Sequence, residues 1–188
     1  MQRGGVPWYN IGLDETNNDT YPAIYTAAFS SFSSDTTLRD ELYGKTRKNH
    51  EQTRNGHRDI KRLLNGRDFR FLFYSKADLK LIRPWKKWGI ITASLIFGQP
   101  RRDRVNILID GEQNQRSYDF VKDIVSDITG LSKKSINVRS GARLDRKIKL
   151  VNIADEIAHW LYDTKTLSRL SHDPHRGKLL YNELSDYL

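Results

Sequence analysis

The sequence predicts a mixed α/β fold, with an antiparallel opening hairpin and a parallel second half of sheet flanked by helices. Three observations predict it. Two strand-like apolar runs open the chain, separated by the turn residues Asn17-Asn18-Asp19. From Val105 onward, short strand patterns alternate with amphipathic helical ones. The length of 188 residues suits one domain with a sizeable core. One domain is therefore expected over residues 1–188, carrying a basic insertion or helical segment around 38–66.

Trp8 to Asp14 and Ala23 to Ser31 form the expected hairpin. Asp35-Thr36-Thr37 reads as a helix N-cap, with Leu38 and Leu42 starting an apolar stripe. Gly44 to Arg58 is very polar, and helical pattern returns at Ile60, Leu63 and Leu64 before Asn65-Gly66 stops it. Phe69 to Tyr74 is an aromatic-rich strand. Trp85 to Gln99 reads equally as a buried helix or a strand. Val105 to Asp110 is a short apolar strand. Ser117 to Ile128 is an amphipathic helix stopped by Gly130. Ser135 to Arg139 is a strand, Lys147 to Tyr162 a long helix and Arg176 to Leu188 a terminal helix.

The absence of cysteine excludes a disulfide scaffold, a thiolate zinc site and a cysteine nucleophile. The longest apolar stretch, Trp88 to Phe97, is too short for a membrane span, and no apolar segment follows Met1 as a secretory signal would require. The net charge is +9. Residues 39–104 alone carry a balance of +11, and the flanks carry −2. The basic middle favours a polyanionic partner; a solvated surface is the plainer alternative.

Three carboxylates stand where plain packing would not put them. Asp14 and Asp110 end apolar strands, and strand ends of α/β sheets are where ligand sites gather. Asp155 lies at the margin of the apolar arc of its helix, with Glu156 well round on the polar face. Carboxylates that meet repel each other, and a divalent cation relieves the repulsion. All-oxygen ligands suit one or two Mg²⁺ or Mn²⁺ ions. Such ions can hold a scissile phosphate and activate water. Each Asp taken alone is as easily a turn-former or a cap. Convergence requires the first and fourth strands to lie side by side.

Gly12-Leu13-Asp14-Glu15-Thr16, then Ile109-Asp110, then a helix carrying Ala154-Asp155, in that order, resemble the RNase H-like fold. More narrowly they resemble a family of uncharacterised prokaryotic and viral proteins that open with Asp-Glu-Ser and close with a Gln-x-Ala-Asp helix. Thr16 stands where that family has Ser, and Asn152 where Gln is common. The resemblance implies a metal-dependent nuclease with Asp14, Asp110 and Asp155 as metal ligands and catalytic residues. It also implies a cytoplasmic setting, prokaryotic or that of a viral host.

Glu15 and Glu112 are candidate accessory ligands. Asp145 reads as the cap of the last core helix, His159 as a neighbour of Asp155, and His172-Asp173-Pro174-His175 as a turn. Candidate nucleic-acid contacts are Arg83, Trp85, Lys86, Lys87, Arg101, Arg102 and Arg104, with Lys45, Arg47, Lys48, Arg54 and Lys149 as further ones. Of Trp85 and Trp88, one is expected in the core and the other as a platform for an unpaired base. The expected partner is DNA or RNA. The alternatives are a non-catalytic nucleic-acid-binding module and a protein–protein adaptor of a viral or defence assembly, both on the same fold.

Overall fold

The computed structural model describes residues 8–16, 23–36, 67–74, 76–100 and 102–163. The expected helical segments around 38–66, the terminal helix and His172 to His175 lie outside these residues. So do Lys45, Arg47, Lys48, Arg54 and Arg101. The described elements are β1 (Tyr9–Thr16), β2 (Ala23–Ser30), β3 (Phe69–Tyr74), α1 (Lys76–Leu81), α2 (Lys87–Ile96), β4 (Val105–Asp110), α3 (Gln115–Thr129), β5 (Ile136–Gly141) and α4 (Lys149–Asp163).

The five strands form one sheet in the order β3-β2-β1-β4-β5. β1 pairs antiparallel with β2, and β2 with β3, whereas β1–β4 and β4–β5 are parallel. The antiparallel opening and parallel second half are therefore both present. β1 lies in the middle, because a strand that pairs with its hairpin partner on one edge leaves the other edge to the next parallel strand.

Alternation along β1 assigns side chains to two layers. Ile11 and Leu13 join Tyr25, Phe29, Ile107 and Ile109 beneath α2 and α3. Gly12 and Asp14 face the opposite layer, where Leu150, Ile153, Ala154 and Ile157 of α4 cover Ile24 and Ala28 of β2. α2 resolves the ambiguity of Trp85 to Gln99. It is buried from Trp88 to Ile96, so it is apolar all round and carries no readable stripe. α3 starts two residues earlier than expected, because the Asn114 side chain caps it by accepting from the Ser117 N–H at 2.9 Å. Gly130 ends it at φ +69°, as its place in the sequence implies.

The helix that Asp35 is expected to cap lies outside the described residues; within them, its carboxylate has other partners. Asp35 lies in a short turn and is completely buried. One carboxylate oxygen accepts from Ser30 Oγ at 2.7 Å, and the other from Arg67 Nη2 at 2.7 Å. A cation and a hydroxyl donor together offset the desolvation of this buried carboxylate. Glu156 departs from expectation. It is fully buried, because α4 packs on the sheet with its face and against the turns Ser33–Thr36 and Leu144–Arg146 with its flanks.

Candidate functional site

The acidic cluster follows from the strand order. Leu13 and Ile109 are register partners across the parallel β1–β4 pair. Asp14 and Asp110 therefore stand level, one residue further on, about 5 Å apart along the sheet. Both fall on the α4 side, since Leu13 and Ile109 belong to the other layer.

Gly12 brings α4 down onto them. A Cβ at Gly12 would lie 2.5 Å from the Leu150 carbonyl oxygen and 2.8 Å from the Val151 nitrogen. Only a residue without a side chain lets the helix backbone rest on the strand. Asp155 follows one turn after Val151 and is buried beside Asp14. His159, a further turn on, places Nε2 3.6 Å from Asp155 Oδ1.

Asp145 completes the cluster, and the sequence reading missed it. It lies in the short turn Leu144–Arg146, four residues before α4 begins, which is too far upstream to cap that helix. The turn is entered through Arg143, the one described non-glycine residue with a left-handed backbone, at φ 56°. That bend buries Asp145 and presents its N–H to Asp110 Oδ1 at 3.1 Å. No local pattern marks this residue. The available signal was the unusual number of carboxylates returning to one end of the sheet.

The electrostatics agree with the placement. Burial, followed by repulsion from Asp155, Asp110 and Asp145, holds the Asp14 carboxyl well above the usual carboxylate range, against a lowering hydrogen bond from the Glu15 N–H. Asp110 is raised by burial and by the Asp145 charge, and lowered by the Asp145 N–H. Asp14 Oδ1 accepts from the Glu15 N–H at 2.7 Å, and Asp14 Oδ2 is buried with no hydrogen bond. An orphaned buried carboxylate oxygen among like charges fits a hard divalent cation. Among the described residues, no three His, Asp or Glu side chains form a ready-made cage, so a cation would have to draw these carboxylates inward.

Of the accessory candidates, Glu15 is engaged by Lys87, whose Nζ lies 3.1 Å from Oε2. Glu112 is exposed on the loop after β4, and Lys149 is half-buried at the start of α4. Lys87 ties the start of α2 to the end of β1, so the basic-aromatic stretch Arg83 to Trp88 lies beside the acidic end of the sheet. Trp88 is core, edge-on to Tyr25. Trp85 is half-buried, edge-on to Phe120, with the Arg116 guanidinium 3.9 Å from its ring centroid. Arg102 and Arg104 sit over Tyr9 and Trp8 at the opposite end of β1, away from the carboxylates.

This sheet, with a long helix laid over the carboxylate end of its first strand, defines an RNase H-like fold. The similarities among solved structures agree. The ribonuclease H2 of Pyrococcus horikoshii matches with a TM-score of 0.57 at 15% identity, over 95% of this chain and 88% of that one. RNase HII of Archaeoglobus fulgidus, solved in complex with PCNA, matches with a TM-score of 0.58 at 16% identity, over 95% and 89%. Bst-RNase HIII in complex with Mn²⁺ matches with a TM-score of 0.55 at 15% identity, over 87% of this chain and 55% of that one. No family model matches the sequence, and no curated protein does. No helix among the described residues is long and apolar enough to cross a membrane.

Proposed function

We propose that this protein is a metal-dependent nuclease that hydrolyses phosphodiester bonds. The observation that carries the reading is the mutually repelling cluster of buried Asp14, Asp145 and Asp155 with half-buried Asp110 on an RNase H-like sheet. Asp14, Asp110 and Asp155 would hold one or two Mg²⁺ or Mn²⁺ ions, with Asp145 as a further oxygen donor and Glu15 and Glu112 nearby. When bound, such ions supply an activated water and stabilise the leaving oxygen. The chain itself supplies the negative cradle, and His159 is within reach of Asp155 to hold that carboxylate's orientation. Arg83, Trp85, Lys86 and Lys87 would lead the nucleic-acid backbone to the cradle. Arg101, Arg102, Arg104, Lys45, Arg47, Lys48, Arg54 and Lys149 are further phosphate contacts on this reading. The Asp14-Glu15-Thr16 and Ala154-Asp155 motifs support the narrower kinship with the prokaryotic and viral family.

The test is cleavage of a panel of DNA, RNA and hybrid substrates in Mg²⁺ and Mn²⁺. Asp14→Asn and Asp155→Asn should abolish cleavage; variants that cut as well as wild type would overturn the assignment. A non-catalytic nucleic-acid-binding module is the second reading. The Lys87 ion pair favours it, because that pair occupies the Glu15 carboxylate, which alternation along β1 turns to the face opposite Asp14. Retained nucleic-acid binding with no Mn²⁺ uptake in calorimetry would establish it.

A further inference from the structure

We infer that Trp85 and Arg116 form a stacking platform for one unpaired base of a single-stranded stretch at the end of the sheet that carries Asp14 and Asp110. The inference rests on the nucleic-acid reading above and gives it a strand preference.

The two residues are far apart in sequence, and the fold brings them together as a layered pair. The Trp85 ring is fixed by its edge-on contact with Phe120, at 5.2 Å between centroids. Arg116 lays its guanidinium 3.9 Å from the Trp85 centroid, within stacking distance. Arg116 is exposed, in the first turn of α3, and Trp85 is half-buried. One face of the guanidinium is therefore covered by the indole and the other is open. A guanidinium plane held in this way is preorganised to receive a base, because its rotamer entropy is already spent against the ring.

The surroundings suit a polyanion. Lys86 Nζ lies 5.4 Å from the Trp85 ring and 5.5 Å from that of Phe120, and Arg83 is exposed just before them. These cations can hold the phosphates on either side of a stacked base. The location suits the proposed reaction. Lys87, next to Lys86, is bonded to Glu15, and Glu15 follows Asp14. Arg116 follows the loop that leaves β4 after Asp110. A strand whose base rests on Arg116 thus lies at the same end of the sheet as Asp14 and Asp110, on the face of α2 and α3. The interior of a duplex keeps its bases stacked on one another on both faces, whereas every unpaired base of a single strand can turn a face to such a pair.

The test is binding rather than cleavage, so it is independent of the nuclease assignment. The full-length protein is titrated in EDTA with fluorescein-labelled dT12 and with a 12-base-pair duplex, followed by anisotropy at several salt concentrations. Arg116→Ala should weaken dT12 binding by about tenfold, within the range of one lost base stack. Duplex binding should weaken by no more than the loss of one phosphate contact, about twofold to threefold. Arg116→Lys keeps the charge and loses the plane, and should resemble Arg116→Ala on dT12. Trp85→Leu should act in the same direction, and Arg116 on the helix surface remains a clean probe if Trp85→Leu unfolds. Equal losses on dT12 and duplex, or full rescue by Arg116→Lys, would reduce Arg116 to a phosphate contact and overturn the proposal. Loss of cleavage in the Asp14 variant with unchanged binding by the Arg116 variants would overturn it while leaving the nuclease reading in place.

Discussion

Gly12→Ala tests the geometry that assembles the acidic cluster. The added methyl would stand 2.5 Å from the Leu150 carbonyl oxygen, 2.6 Å from its carbon and 2.8 Å from the Val151 nitrogen. Ordinary contact begins near 3.4 Å, so the closest atom must yield by about 0.9 Å. All three atoms belong to a helix backbone and have no rotamer to escape into. α4 must lift as a body, opening the apolar layer formed with Ile24 and Ala28. Overpacking of this kind costs about 1–3 kcal/mol, with the upper end expected where backbone meets backbone. For a chain of this size that is a fall of roughly 2–12 °C in Tm. Lifting α4 also moves Asp155 away from Asp14 by a similar fraction of an ångström. Displacements near 1 Å can cost about a hundredfold in rate. Urea denaturation measures the first effect, and Mn²⁺ titration calorimetry with single-turnover cleavage measures the second. A Gly12→Ala protein with unchanged midpoint and unchanged Mn²⁺ affinity would refute the close approach of α4 to β1.

Two further outcomes follow from buried charge. Asp14 is raised by burial and like charges, so the folded chain binds its proton more tightly than the unfolded chain does. Stability is therefore lost as pH rises from the ordinary value of 3.8 through the raised one, and neutral pH lies on the costly side. Asn carries no charge there, so Asp14→Asn should raise the Tm near pH 7 in EDTA and flatten its fall with pH. Divalent cations should stabilise wild type more than the variant; a variant that melts lower than wild type at pH 7 in EDTA would contradict the repulsion. Arg67→Ala should destabilise by about 3–5 kcal/mol in urea, because it strands the fully buried Asp35 carboxylate. A loss under about 1 kcal/mol would show that Arg67 is not what offsets the burial of Asp35.

Much of this arrangement was legible because it is local. Strand alternation placed Asp14 and Asp110 at strand ends, and helical periodicity placed Asp155 at the edge of an apolar face. Their convergence was not local: it depends on β4 choosing the free edge of β1, which no window of sequence contains. Asp145 was misread because a carboxylate before a helix usually caps it, whereas here a left-handed Arg143 turns the chain so that Asp145 meets Asp110. Glu156 was misread because periodicity assumes one buried face, and the flank of α4 is covered too. The Trp85–Arg116 pair joins two elements across β4 and could be found only in space.

The Asp35–Arg67 ion pair also bears on the edge of the sheet. It fastens the turn after β2 to the chain just before β3, an edge strand with a neighbour on one side only. Edge strands are where sheets fray and where one chain pairs with another. The charge pair thus acts as a clasp that holds the opening of β3 against β2.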